Sequence, residues 1–188
     1  MAQSPDTKSP EERDIAHAGS ESCSFRTEAI EASAEFRRLY ETMRNVIHGE
    51  EMPFENSPDG LLKHLVHERL GTRECCIEAY MQFLAGGGQS GRHRHMWEEV
   101  IFVAEGTGYD LHWDMKFDCL DEFKWEWEAE PKKHTWERGD FIYIPPFTAH
   151  QHFNADATKE ARLIVISNRI VREMGFDWLD QLEHAPGF

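Results

Sequence analysis

Polar and apolar positions change their rhythm twice along the chain. From about Thr27 to His48, the residues Ile30, Phe36, Leu39, Tyr40, Met43 and Ile47 recur at steps of three and four. That spacing predicts an amphipathic helix. Glu28 and Glu31 in its first turn suit the positive end of the helix dipole, and Gly49 follows as a stop. After Pro53 and the turn Asn56-Ser57-Pro58-Asp59-Gly60, apolar segments become short and are divided by turn residues. Strands are predicted over Leu61–Leu70, Cys75–Leu84, Val100–Glu105, Gly108–Asp114, Phe123–Glu128, Phe141–Ile144 and Ala161–Ser167. Such a series points to an all-β sandwich or barrel. The acidic, aromatic stretch Asp118–His134 is expected to extend a sheet as a hairpin or loop. Two short helices are predicted to close the chain, around Ile170–Met174 and Asp177–Glu183. No internal repeat is present, so the barrel is a single unit.

Residues Met1 to about Ser24 carry Pro, Ser, Glu and Asp with almost nothing apolar, which reads as a mobile arm. The expected organisation is thus an arm over 1–24, a helix over 25–50, and a barrel with its closing helices over 51–188. The 188 residues suffice to bury a core without disulfides or zinc. The four cysteines agree: none shows C-x-x-C spacing, and the adjacent Cys75 and Cys76 would leave a strand on opposite faces. Reduced thiols are expected.

Charge narrows the partners. With 35 acidic against 20 basic residues the formal net charge is −15, which repels phosphate backbones and anionic lipid. Neither nucleic acid nor membrane is an expected partner. No stretch approaches the roughly 20 apolar residues of a spanning helix. The first residues lack the basic start and apolar core of a secretory leader, so the cytoplasm is the expected compartment.

The chemistry lies in a few histidines. His93 and His95 sit two apart, so an extended strand sends both imidazoles from one face. Glu99 lies four further on, and His150 arrives behind the rigid Pro145-Pro146 pair. Three imidazole nitrogens and one carboxylate oxygen suit Fe(II), Mn(II), Ni(II), Cu(II) or Zn(II), not an all-oxygen calcium or magnesium site. Four protein ligands leave coordination positions open for water, dioxygen or substrate.

These residues fall into a recognisable frame. Gly87, His93, His95, Glu99 and Gly106 match the first cupin motif, G-x5-H-x-H-x3-E-x6-G, at every defined position. Gly139, Pro145, His150 and Asn154 match the second, G-x5-P-x-G-x2-H-x3-N, whose inner glycine is replaced by Phe147. That glycine shapes a turn and is not a ligand. Over roughly residues 60 to 168 the chain therefore resembles the cupins. The resemblance implies a jelly-roll β-barrel holding one divalent metal ion per chain on His93, His95, Glu99 and His150. It is similar in particular to small single-domain cupins grouped near aromatic-compound dioxygenases, and it implies pairing into a homodimer with the N-terminal helix near the interface.

Other residues are candidates of a second kind. His152 shares the parity of His150 and would point inward, as an acid or base, a substrate contact, or a support for a ligand. His112 shares a face with Asp110 and Asp114 and is a candidate for substrate contact, as is Tyr143, which either lines the cavity or packs in the core. Arg92, Arg94 and Arg169 could neutralise an anionic substrate, although Arg94 lies between two inward ligands and should point outward. The activity that the resemblance implies is that of an Fe(II) dioxygenase acting with O2 on a small aromatic or carboxylated substrate. The alternatives are a redox-neutral decarboxylase, lyase or isomerase using Mn(II), Zn(II) or Ni(II), and a non-catalytic small-molecule binding cupin.

Overall fold

The computed structural model describes residues 23–73, 76–118 and 124–188, and these divide into two units at Thr42. In the first, α1 (Phe25–Tyr40) is the predicted helix, shorter than its periodicity suggests. Arg38 clasps Glu35 one turn away and Phe36 packs against Tyr40. The apolar run continues into Met43 and Ile47, but these belong to the second unit, where Ile47 is buried. A three- and four-residue spacing cannot register that change of partner. The arm expected over 1–24 lies outside the described residues as far as Ser22.

Among the described residues the second unit is built from thirteen antiparallel strands: β1 (Phe54–Ser57), β2 (Gly60–Val66), β3 (Ile77–Leu84), β4 (Arg92–His95), β5 (Glu99–Glu105), β6 (Thr107–Trp113), β7 (Met115–Asp118), β8 (Lys124–Trp127), β9 (Lys132–Glu137), β10 (Phe141–Ile144), β11 (Ala149–Asn154), β12 (Ala161–Asn168) and β13 (Leu179–Glu183). One sheet has the order β1-β2-β3-β12-β5-β10 and the other β13-β4-β11-β6-β9, with β7 and β8 forming a separate hairpin. This is a jelly-roll barrel. The predicted Cys75 and Phe123 lie outside the described residues, as does Cys119, and the strand foreseen to Leu70 ends at Val66, where the short 3₁₀ turn Glu68–Leu70 follows.

One prediction fails. The segment expected as a helix over Asp177–Glu183 is strand β13, which pairs with β4: Gln181 lies opposite His93 and Leu179 opposite His95. Its pattern is too short to separate the two periods, and the free edge of β4 decides the outcome by supplying backbone partners. The other closing helix is present as the single turn α2 (Ile170–Glu173).

Alternation fills the barrel. On β5, Ile101 and Val103 point inward, and on β12 Ala161, Leu163 and Val165 do. They pack with Leu84, Ile142, Ile144 and Trp136 into an apolar core that joins the two sheets at one end of the barrel. The motif glycines Gly106 and Gly139 take φ of 95° and 97°, as the tight β5–β6 and β9–β10 connections require. Toward the other end the inward positions of the same strands turn polar: Glu99 precedes Ile101, and Ser167 follows Val165.

Candidate metal centre

The polar end is assembled from both sheets. On β4 the burial alternates, so His93 and His95 face inward while Arg92 and Arg94 face out. His150 of β11 stands directly opposite His93 in one register and opposite His112 of β6 in the other. Glu99 approaches from the facing sheet, where β5 pairs it with Ile144 and Ser167. All four side chains are buried, and one ligand atom from each lies within 4.8 Å of the others. Each strand's own alternation supplies the direction, and barrel closure supplies the convergence.

Each histidine is held through the ring nitrogen that faces away from the cluster. Nδ1 of His95 donates to the Trp97 carbonyl at 2.7 Å, and Nδ1 of His150 donates to the Thr148 carbonyl at 3.0 Å. A carbonyl can only accept, so these bonds fix the tautomer that leaves Nε2 as a lone pair. The Trp97 indole stacks on His95 with centroids 4.8 Å apart and planes 5° from parallel. Nδ1 of His93 lies 2.9 Å from Asp59 Oδ1. Asp59 comes from the turn between β1 and β2, where Ser57 Oγ accepts from the Asp59 amide and donates to the Gly60 carbonyl.

The residues fit a metal. Nε2 of His95, Nε2 of His150 and Oε2 of Glu99 are buried without a hydrogen-bond partner among the described residues. Such groups are rare unless something satisfies them. Glu99 stands 3.4 Å from His95 Nε2 and 3.5 Å from His150 Nε2, the separation of atoms each about 2.1 Å from a shared ion. In the metal-free protein, burial raises the Glu99 carboxyl, but His95 and His150 outweigh it and hold the group well below its usual range. Burial, with His93 beside it, drives His150 down to about 3, so its imidazole is neutral, as a metal ligand must be.

The cluster borders a cavity of about 150 Å³ whose walls include Asp59, His64, His67, Glu78, Tyr80 and Trp97. Burial pushes the Tyr80 phenol well above its ordinary value, and the carboxylates of Glu99, Asp59 and Glu78 reinforce this, so it stays protonated. Asp59, Tyr80, His64 and His67 were not singled out by the sequence. None sits in a motif, and only the β1–β2 turn around Asp59 was marked as a feature.

The remaining sequence candidates divide. His152 is buried on the inner face, as its parity with His150 suggested, and the structure settles the facing of His112, which the sequence leaves open, the same way. Yet neither lines this cavity. Both turn to Asp110, whose carboxylate lies 2.9 Å from His152 Nδ1 and 3.6 Å from His112 Nε2 and accepts from Trp136 Nε1 at 2.7 Å. Burial opposes charge on this pair, but mutual attraction wins: Asp110 is held below the usual carboxylate range and His152 above the usual imidazole range. Tyr143 is not brought to the site. The alternation of β10 points it outward, 52% exposed, where its hydroxyl donates to Glu98. Neither a cavity position nor a core position holds for it, because inward places on β10 go to Ile142 and Ile144. Arg92 pairs with Glu183, and Arg94 pairs with Asp180 and covers the Trp127 ring at 4.0 Å.

Phe147, at the motif's glycine position, takes the backbone conformation a glycine would: its φ is 63°. Its amide donates to the His95 carbonyl, its carbonyl accepts from Trp127, and its ring packs edge-on against Trp125 and Trp178. The turn that delivers His150 is thus preserved with a different residue.

No protein-family model matches the sequence, and no curated protein matches it. Solved structures do. The polyketide cyclase RemF from Streptomyces resistomycificus is 16% identical, with a TM-score of 0.50 over 67% of this chain and 80% of its own. A cupin-like protein from Thermotoga maritima is 19% identical, with a TM-score of 0.46 over 70% of this chain and 88% of its own. An RmlC-like cupin from Shewanella frigidimarina is 15% identical, with a TM-score of 0.47 over 66% and 90%. At these identities the likeness is one of fold alone. Two antiparallel sheets in jelly-roll order and the likeness to RemF at a TM-score of 0.50 show the fold, and the two histidine motifs bring His93, His95, Glu99 and His150 together inside the barrel.

Proposed function

We propose that the protein is a metal-dependent enzyme, and that its reaction is an Fe(II)-dependent dioxygenation of a small aromatic or carboxylated compound. The observation that carries this reading is the buried set of three imidazoles and one carboxylate beside a cavity, three of its atoms lacking a hydrogen-bond partner among the described residues. His93, His95, Glu99 and His150 hold the ion. Bound Fe(II) would supply the electron transfer to dioxygen that side chains cannot.

The chain's own residues do the rest. Asp59 and the carbonyls of Trp97 and Thr148 hold the imidazoles in their ligating orientation. Leu62, Val66, Ala79 and Leu179 give the cavity an apolar wall that excludes water from the reacting face. Tyr80 keeps its proton and can donate a hydrogen bond to a substrate oxygen. We assign His152 to pairing with the buried Asp110 carboxylate, which lies 2.9 Å from its Nδ1.

A second reading, redox-neutral isomerase, lyase or decarboxylase chemistry, is favoured by the proton carriers His64, His67 and Glu78 on the cavity wall. Oxygen uptake separates the two. The protein loaded in turn with Fe(II), Mn(II) and Zn(II) is offered a panel of small aromatic acids in an oxygen electrode. The dioxygenase reading expects uptake by the Fe(II) form with at least one acid and none by the Zn(II) form. Conversion of an acid by the Mn(II) or Zn(II) form without oxygen uptake overturns it in favour of the second.

A further inference from the structure

The inward row of β12 does not end with the strand. Ala161, Leu163, Val165 and Ser167 are buried in alternation, and Arg169, one position past the strand's end, continues the row at 8% exposure. Ser167 lies opposite Glu99, so the guanidinium begins two residues from the level of the metal cluster. Arginine is almost never so buried unless it is paired.

Arg169 is only partly paired. Nη2 lies 3.4 Å from Glu68 and 4.0 Å from Glu173, both of which are more than half exposed. Nε is buried and has no hydrogen-bond partner among the described residues. Arg169 lines a cavity of about 300 Å³ together with Glu78, Trp97, Ser167, Arg172, Asp177 and Leu179. Three of these, Glu78, Trp97 and Leu179, also line the cavity at the cluster, so the two spaces adjoin.

The other charges around this cavity are already engaged. Glu78 accepts from the Ser167 hydroxyl, and Arg172 Nε lies 3.4 Å from Asp177. Nε and a terminal nitrogen of one guanidinium form the planar fork that grips both oxygens of a carboxylate. Trp97, stacked on His95, and Leu179, opposite His95 on β13, line both cavities and give them a shared apolar wall.

We propose that Arg169 anchors the carboxylate of a flat, singly charged organic acid, whose body lies along Trp97 and whose far end reaches the metal cluster. The surrounding Glu68, Glu78, Glu173 and Asp177 disfavour a second anionic group, which selects monocarboxylates over dicarboxylates and phosphates. The proposal rests on reading the cluster as a reaction centre, and it adds the residue that selects the substrate.

Benzoate and its neutral counterpart benzamide test it by calorimetric titration of the Zn(II)-loaded protein, with metal content measured on the same samples. Wild type should bind benzoate more tightly than benzamide. Arg169→Gln should weaken benzoate about 10-fold or more while leaving benzamide unchanged. If Arg169→Gln loses its fold, Glu68→Gln carries the test: freeing Nη2 should tighten benzoate by about 2- to 5-fold and leave benzamide alone. Equal binding of the two probes by wild type, unchanged benzoate affinity in Arg169→Gln, or an indifferent Glu68→Gln each overturns the proposal. Benzoate binding that needs Arg169, in a protein whose Fe(II) form consumes no oxygen with any acid, removes the dioxygenase reading and leaves this one standing. Oxygen uptake indifferent to Arg169 removes this one alone.

Discussion

Asp59 Oδ1 lies 2.9 Å from Nδ1 of His93, and Gln181 Nε2 donates to the same oxygen at 2.9 Å. A carboxylate behind a ligating imidazole fixes its orientation and raises its basicity. Burial raises Asp59, but the attraction of His93 outweighs it and keeps the group ionised. Asp59→Asn keeps the shape and removes the charge. Metal affinity should fall by about 10- to 100-fold, read by competition with a chelator, with the melting temperature of the metal-free form little changed.

Glu98 and Glu99 are neighbours with opposite fates. Glu99 is buried among the ligands, and Glu98 is exposed and accepts the Tyr143 hydroxyl. Glu99→Ala should abolish metal retention and activity together, since it removes the anionic member of the set. Glu98→Ala should leave metal content at wild-type level and change stability by less than about 1 kcal/mol, as a surface hydrogen bond does. Elemental analysis of the two purified variants checks both.

Phe147 offers a way to measure backbone strain directly. Ala and Gly both remove the ring, but only Gly is at ease at a φ of 63°. Both variants should be less stable than wild type, because the ring contacts to Trp125 and Trp178 are lost. Phe147→Gly should be the more stable of the two by about 1 kcal/mol. Urea denaturation of the pair isolates that difference, and equal stability would contradict it.

Removing His152 leaves the buried Asp110 carboxylate with Trp136 and the more distant His112. Breaking a buried pair in this way costs about 3–5 kcal/mol. His152→Ala should therefore melt markedly earlier yet keep its metal and turn over near the wild-type rate. A loss of about 100-fold at full metal content would instead make His152 a catalytic acid or base.

The same pair sets a pH window in the metal-free protein. Asp110 is depressed below 3.8, so its contribution is present above about that pH and is lost as pH falls through the folded value. His152 is raised above 6.5, so its contribution is complete below about that pH and is lost as pH rises through its folded value. The stability difference between wild type and His152→Ala should thus be largest from about pH 4 to 6.5 and should shrink in alkaline solution. Denaturation curves across that range check it.

The sequence by itself determined what alternation and spacing can carry. His93 and His95 two apart on a strand, Glu99 after a turn, and His150 behind a proline pair are local facts, and each strand's period of two fixes its inward face. The inward parity of His152 was legible for the same reason, whereas alternation grouped His112 with Asp110 without saying which face was inward. Tertiary structure decided whatever depends on which strand lies next to which. It turned Asp177–Glu183 into β13, because β4 had an unpaired edge. It brought Asp59 from the β1–β2 turn behind His93. It sent Tyr143 outward and carried Arg169 to the cavity beside the cluster. Neighbours distant in sequence leave no periodic trace, so the ligands could be read from the chain but the residues that hold and surround them could not.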